Sequence, residues 1–219
     1  MRRFGLTPRI LAGVLMIVVI LFSSCLQAAP ISPLAARMRP YTGIGVVILT
    51  IALGENGMAP TQLQLYDDPA IYRLGELEIA TIPRDEWIFG LDTESVPLIV
   101  MARKGEWLRV VYDAAGREAW INPRSRGTFY LWETFFKDQS GHLLSGLKKR
   151  YYQIFSEPGI GPLVSLPPRL PFTVTTLDGD WIHLIIPDQK VKGWLRWRDE
   201  DGRLLIGLER EGSLPRQQQ

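Results

Sequence analysis

The chain has 219 residues, with 25 Lys and Arg, 23 Asp and Glu, and a formal net charge of +2. Arg2, Arg3 and Arg9 fall in the first 24 residues with no acid among them, so 25 less these three leaves 22 basic residues against 23 acidic ones in the rest. That balance leaves no positive excess to neutralise phosphates and argues against nucleic acid as a partner. One cysteine, Cys25, and two histidines, His142 and His183, exclude an internal disulfide and any cysteine- or histidine-rich metal site.

In chain order, MRRFGLTPR is basic, ILAGVLMIVVILF (10–22) is uninterruptedly apolar, and SSCLQAAP is small and polar. This is the three-part pattern of a secretory signal over 1–24. Thirteen apolar residues fall short of the ~20 that cross a hydrocarbon core, so an uncleaved anchor is the second reading. Residues 25–43 are rich in Pro and small side chains and read as a tether. GIGVVILTIALG (43–54) predicts a buried strand bounded by glycines. LQLYDDP (63–69) predicts a strand ended by Asp-Asp-Pro, and ELEIATI (76–82) and EWIFGL (86–91) alternate like strand edges. PLIVMAR (97–103), EWLRVVY (106–112) and EAWINP (118–123), separated by Lys104-Gly105 and DAAG, read as a meander.

Residues 133–150 read as a connector with room for a short helix, and the aromatic run FYLWETFF (129–136) is expected to pack between two domains. YYQIFSEP (151–158) restarts the pattern, and the proline-rich PGIGPLVSLPPRLP (158–171) follows. FTVTTL, DWIHLII and VKGWLRW then repeat the meander, and DEDG with LLIGL (204–208) predicts a closing hairpin. The tail 209–219 is expected to be disordered.

A shift of 74 residues lays 96–121 over 170–195. Pro97/Pro171, Val100/Val174, Gly105/Gly179, Trp107/Trp181 and Trp120/Trp194 are then identical. A repeat of this length is one supersecondary unit used twice. Domains therefore fall at 44–132 and 151–208. The first is longer before its tryptophans, and that insertion is the expected place for the two copies to differ in function.

Phe22-Ser23-Ser24-Cys25 resembles the lipobox of bacterial lipoproteins, with Phe22 where that family usually has Leu. The resemblance implies acylation of Cys25 and anchoring of the exported chain in a membrane of the cell envelope, facing the periplasm or the outer face. The other reading is an ordinary signal cut near Ala28 or Ala29. Strand-x-x-Pro, a long loop, then G-[ED]-W-[LI]-x-[VL] and a later [AG]-W-[IL] resembles the bacterial Src-homology-3-like (SH3b) domains, twice and in register. It implies an all-β fold of two tandem small SH3-like barrels. It also implies binding: exported members commonly recognise cell-wall peptides or hold envelope proteins together. Asn122-Pro123 and the expanded first loop depart from the family pattern.

Tyr66 and Phe155 open the long loop of each copy, where the resemblance places groove-lining aromatics. Trp107 and Trp181 read first as core, at positions set by the repeat, and as candidate ligand shelves with an indole N–H in the second reading. Gly105, Gly179, Trp120 and Trp194 read as structural positions of the repeat. Lys148-Lys149-Arg150 and Arg196-Trp197-Arg198 read as solvated faces. Catalytic residues are not expected: no G-x-S-x-G is present, and Gly141-HLLS-Gly146 has Leu147 where a phosphate loop needs Lys. The expectation is a non-enzymatic envelope adaptor without cofactor or metal, whose partner is a cell-wall peptide or an envelope protein. The alternatives are a structural subunit of an envelope assembly and a wall hydrolase or its accessory.

Overall fold

The computed structural model describes residues 38–51 and 62–209; the signal segment, Cys25 and the chain beyond Glu209 lie outside these. The fold is all-β and consists of two tandem antiparallel sheets. Strands β1 (Gly45–Thr50), β2 (Gln62–Tyr66), β3 (Arg73–Glu78), β4 (Ser95–Lys104), β5 (Trp107–Val111), β6 (Glu118–Ile121) and β7 (Gly127–Leu131) form the first, in the order β3-β2-β6-β5-β4-β1-β7. Strands β8 (Ser140–Leu143), β9 (Gln153–Glu157), β10 (Ile160–Ser165), β11 (Phe172–Asp178), β12 (Trp181–Ile186), β13 (Val191–Arg196) and β14 (Ile206–Leu208) form the second, in the order β10-β9-β13-β12-β11-β8-β14. Adding seven to each strand number turns the first order into the second. The repeat thus extends from the tryptophan meander to the whole sheet.

The expected barrels are corrected to open sheets. Closure needs the two edge strands to pair, and neither β3 with β7 nor β10 with β14 does so. Instead β14 packs against a one-turn helix α1 (Glu86–Phe89) contributed by the first repeat. Gly207 makes this approach possible: a methyl group there would lie 3.2 Å from the carbonyl oxygens of Trp87 and Ile88. The stretch 86–91 was expected to be a strand edge. Ile88 and Phe89 are adjacent and both buried, which one face of a strand cannot achieve and a helical turn can. The insertion in the first copy therefore makes a contact with the second.

Two other elements differ from the sequence pattern. The connector 133–150 holds most of a short helix, α2 (Trp132–Phe136), as the sequence allowed, but it also supplies all of β8, which pairs with both β11 and β14. The closing hairpin is reduced to a single bridge, Arg198 to Leu204, because β14 finds its partner in β8. Proline-rich 158–171 supplies β10, and Pro162 is tolerated because β10 is an edge strand.

Two apolar clusters hold the molecule together. One lies within the first repeat and includes Val47, Leu49, Leu63, Val100, Leu108, Val110 and Ile121. The other joins Val46, Ile48, Ile88, Phe89 and Tyr130 of the first repeat to Phe172, Val174, Ile182, Leu184 and Trp197 of the second. Strand β1 feeds both, Val47 and Leu49 on one face and Val46 and Ile48 on the other, so GVVIL reads as continuous apolar sequence. The aromatic run packs where it was expected: Trp132 stacks on Phe136 at 5.1 Å, and both meet Trp197, at 5.6 and 5.5 Å. The last residues of the segment read as a tether are bound to the second repeat. Thr42 N–H donates to the Gly202 carbonyl at 2.8 Å, and Leu204 N–H to the Pro40 carbonyl at 3.1 Å.

Candidate functional site: two equivalent aromatic clusters

In each repeat a two-residue turn delivers a tryptophan to the first position of the central strand. Lys104 pairs with Trp107 across Gly105-Glu106, and Asp178 pairs with Trp181 across Gly179-Asp180. Gly105 has φ +60° and Gly179 φ +56°, the left-handed conformation that a two-residue hairpin with glycine first requires. In the strands that follow, Leu108 and Val110, like Ile182 and Leu184, face the interior. Trp107 and Trp181 therefore lie on the opposite face.

Register brings further aromatics to that face. In the first repeat Tyr66 is opposite Trp120, and Trp120 is opposite Arg109. The Tyr66 and Trp107 rings meet edge to face, 5.1 Å between centroids and 84° between planes. In the second repeat Phe155 is opposite Trp194, and Trp194 is opposite His183. Phe155 and Trp181 meet at 5.4 Å and 85°, nearly the same geometry. His183 adds an edge contact to Trp194 at 5.3 Å and is held by Thr175, whose Oγ1 is 2.8 Å from its Nδ1.

All six of these Tyr, Phe and Trp side chains are half-buried, and none belongs to either apolar cluster. For Trp107 and Trp181 this departs from the reading as core; the tryptophans that fill the interior are Trp132 and Trp197, 3% and 1% exposed. The reason is the strand phase. The alternating branched residues claim the inner face and leave the tryptophans outside.

The clusters differ in their charged neighbours. Arg109 pairs with Glu118 at 3.0 Å beside the first, and Lys104 approaches Asp68 at 3.7 Å. Beside the second, the Arg196 guanidinium lies 5.6 Å from the Trp181 ring centroid and reaches Asp180 at 3.2 Å and Glu200 at 2.7 Å. Glu200 also accepts hydrogen bonds from the Tyr151 hydroxyl and from Arg150 at 2.9 Å. The Tyr151 hydroxyl, a backbone N–H and the Arg150 and Arg196 charges hold the Glu200 carboxyl down to about 2. Burial and the bond to Glu200 push the Tyr151 hydroxyl up. Two stretches read as solvated basic faces thus converge on one carboxylate, and Trp197 between Arg196 and Arg198 is buried. No local pattern in the sequence announces this, because the partners are far apart along the chain.

No family model matches the sequence, and no curated protein matches it. A solved chain named endolysin LysPBC5 CBD is 13% identical, with 80% of this chain and 100% of that one covered. Its TM-score of 0.23 is too low for the likeness to bear on fold or function.

Proposed function

We propose that this chain is a non-enzymatic, bivalent binding protein of the bacterial cell envelope, exported and anchored through Cys25, whose two aromatic clusters take peptides of the cell wall. The observation that carries this reading is the placement of Tyr66, Trp107 and Trp120, and of Phe155, Trp181 and Trp194, half-exposed at the same positions of two repeated sheets. A large aromatic left partly in water on a sheet face offers apolar area and a polar N–H or O–H to a ligand. Two such surfaces fixed in one body turn the second binding event into an intramolecular one and raise apparent affinity without new contacts. The resemblance of both repeats to SH3b domains and the signal pattern at the N-terminus support the address and the ligand class.

The test is co-sedimentation of residues 31–219 with purified sacculi. Retention in the pellet that free stem peptide competes away, and that falls on Trp107→Ala and Trp181→Ala, is the expected result. A clean supernatant overturns the wall-binding reading and directs attention to a protein partner sought by crosslinking in cells.

A further inference from the structure

The second repeat carries a feature that the first lacks. The connection from β6 to β7 is residues 122–126, whereas that from β13 to β14 is 197–205, lengthened by the acidic run Asp199-Glu200-Asp201. This run forms one wall of a cleft of about 470 Å³. Arg39, Lys148 and Arg150 line it as well. The volume lies within the ~300–1,000 Å³ common for small-ligand sites. The first repeat makes the same connection in five residues, so the cleft is an addition to the sheet.

Its charges are not all matched internally. The Asp199 carboxylate is saturated: Oδ1 accepts the backbone N–H groups of Asp201 at 3.1 Å and Arg203 at 2.8 Å, and Oδ2 accepts Arg39 at 2.6 Å. Arg39 is fixed further by its bond to the Leu204 carbonyl at 2.9 Å. Glu200 is satisfied by Tyr151, Arg150 and Arg196. Two exposed groups in the lining are left, Lys148 and Asp201, and neither has an ion-pair partner among the described residues. One free cation and one free anion face a shared concavity.

The walls are held in place before any ligand arrives. The Tyr152 hydroxyl accepts the Leu147 N–H at 3.1 Å and donates to the Leu144 carbonyl at 2.8 Å, which clamps the loop that presents Lys148. The Arg150 guanidinium lies 4.9 Å from the Tyr151 ring centroid while bonding Glu200. These bonds fix the backbone that presents Lys148 and Asp201, and a ligand that brings the complementary pair of charges exchanges water for both partners at once.

We propose that this cleft is a second binding site, for the zwitterionic end of a short peptide or a free amino acid, with the ligand carboxylate against Lys148 and its ammonium against Asp201. A phospholipid head group carries similar charges, but it would need an apolar rim for its chains, and among the described residues Leu147 is the one aliphatic side chain in the lining. Arg196 links this cleft to the second aromatic cluster, since it bonds Glu200 and lies over Trp181. The inference does not depend on wall binding by the aromatic clusters.

The experiment is calorimetric titration of the full chain, in detergent micelles, with the dipeptide alanyl-alanine. Its N-acetylated and C-amidated forms and glycerophosphoethanolamine serve as comparison probes. Saturable binding is expected, with Lys148→Gln and Asp201→Asn each weakening Kd roughly tenfold, the scale of one lost charge-assisted contact. Asp201→Asn should leave the affinity of the N-acetylated dipeptide unchanged, and Lys148→Gln that of the amidated one, because each lacks the charge the substituted residue would meet. Both residues are exposed, and unchanged circular dichroism of the variants keeps misfolding apart from lost binding. No heat of binding, equal binding of all three dipeptides, wild-type affinity in both variants, or binding of glycerophosphoethanolamine alone each overturns the proposal. Sacculus retention of Lys148→Gln distinguishes this outcome from failure of the aromatic reading, which Trp107→Ala and Trp181→Ala report.

Discussion

At the scale of single residues, the two kinds of tryptophan should behave oppositely. Trp197 is buried, meets Trp132 and Phe136, and donates its indole N–H to the Gly179 carbonyl at 2.9 Å. Trp197→Ala is expected to cost about 3–5 kcal/mol in urea denaturation, the usual penalty for emptying an aromatic site in a core. Trp107→Ala removes a half-exposed ring with one aromatic neighbour, so the expected cost is about 1 kcal/mol, near the central value for point substitutions, with sacculus retention lost. A Trp107→Ala protein as unstable as Trp197→Ala would place that ring in the core after all. Gly179→Ala forces a side chain into the left-handed region and should cost about 1–2 kcal/mol by the same measurement, although nothing lies within 4 Å of the new methyl group. The sequence makes these glycines and tryptophans visible as repeated positions. It does not separate Trp107 from Trp197 by role, because a tryptophan can be placed on either face of a strand.

At the scale of elements, the segment 39–42 is fastened to the end of the second repeat by Asp199. Burial works against the Asp199 charge, but the Arg203 backbone N–H, the Arg39 guanidinium and the Asp201 backbone N–H outweigh it and hold its carboxyl below the ordinary range. Asp199→Ala leaves several of these donors without an acceptor and is expected to cost roughly 1–3 kcal/mol in chemical denaturation. Glu200 makes a pH prediction. Its folded-state value is depressed from 4.5 to about 2, so its contribution is present above 4.5 and is lost as pH falls toward 2. Stability measured across that window should fall less steeply in Glu200→Gln than in the parent chain. Equal slopes would mean that the Tyr151 and arginine contacts are not kept in solution. Because Glu200 is about half exposed, solvent screening keeps the effect small.

At the scale of the whole molecule, the shared apolar cluster decides how the repeats behave. Val46, Ile48 and Phe89 from one repeat are buried with Phe172, Leu184 and Trp197 from the other, so neither sheet keeps its full core alone. Thermal unfolding is expected to show one transition in both near- and far-ultraviolet dichroism, and two separated transitions would mean independent beads. A rigid body also bears on binding. If both aromatic clusters engage the same sacculus, disabling one should reduce apparent affinity by about 10²–10⁴, far more than half. A twofold loss would instead mean that the two clusters bind independently, without gain from being on one chain.

The sequence by itself determined the all-β class, the doubled meander, the turn glycines and the aromatic run that packs between the repeats. These follow from alternation and turn chemistry, which are local and are printed along the chain. Only the tertiary structure decided that the sheets stay open, that 86–89 is a helix lying on β14, and that β8 rather than the preceding segment pairs with β14. It alone set the phase that turns Trp107 and Trp181 outward, and it alone gathered Arg39, Lys148 and Asp201 around one cleft. The physical reason is range. Closure, sheet phase and a charged site are settled by contacts between residues tens to more than a hundred positions apart, and each depends on which neighbour a buried face or a charge finds there.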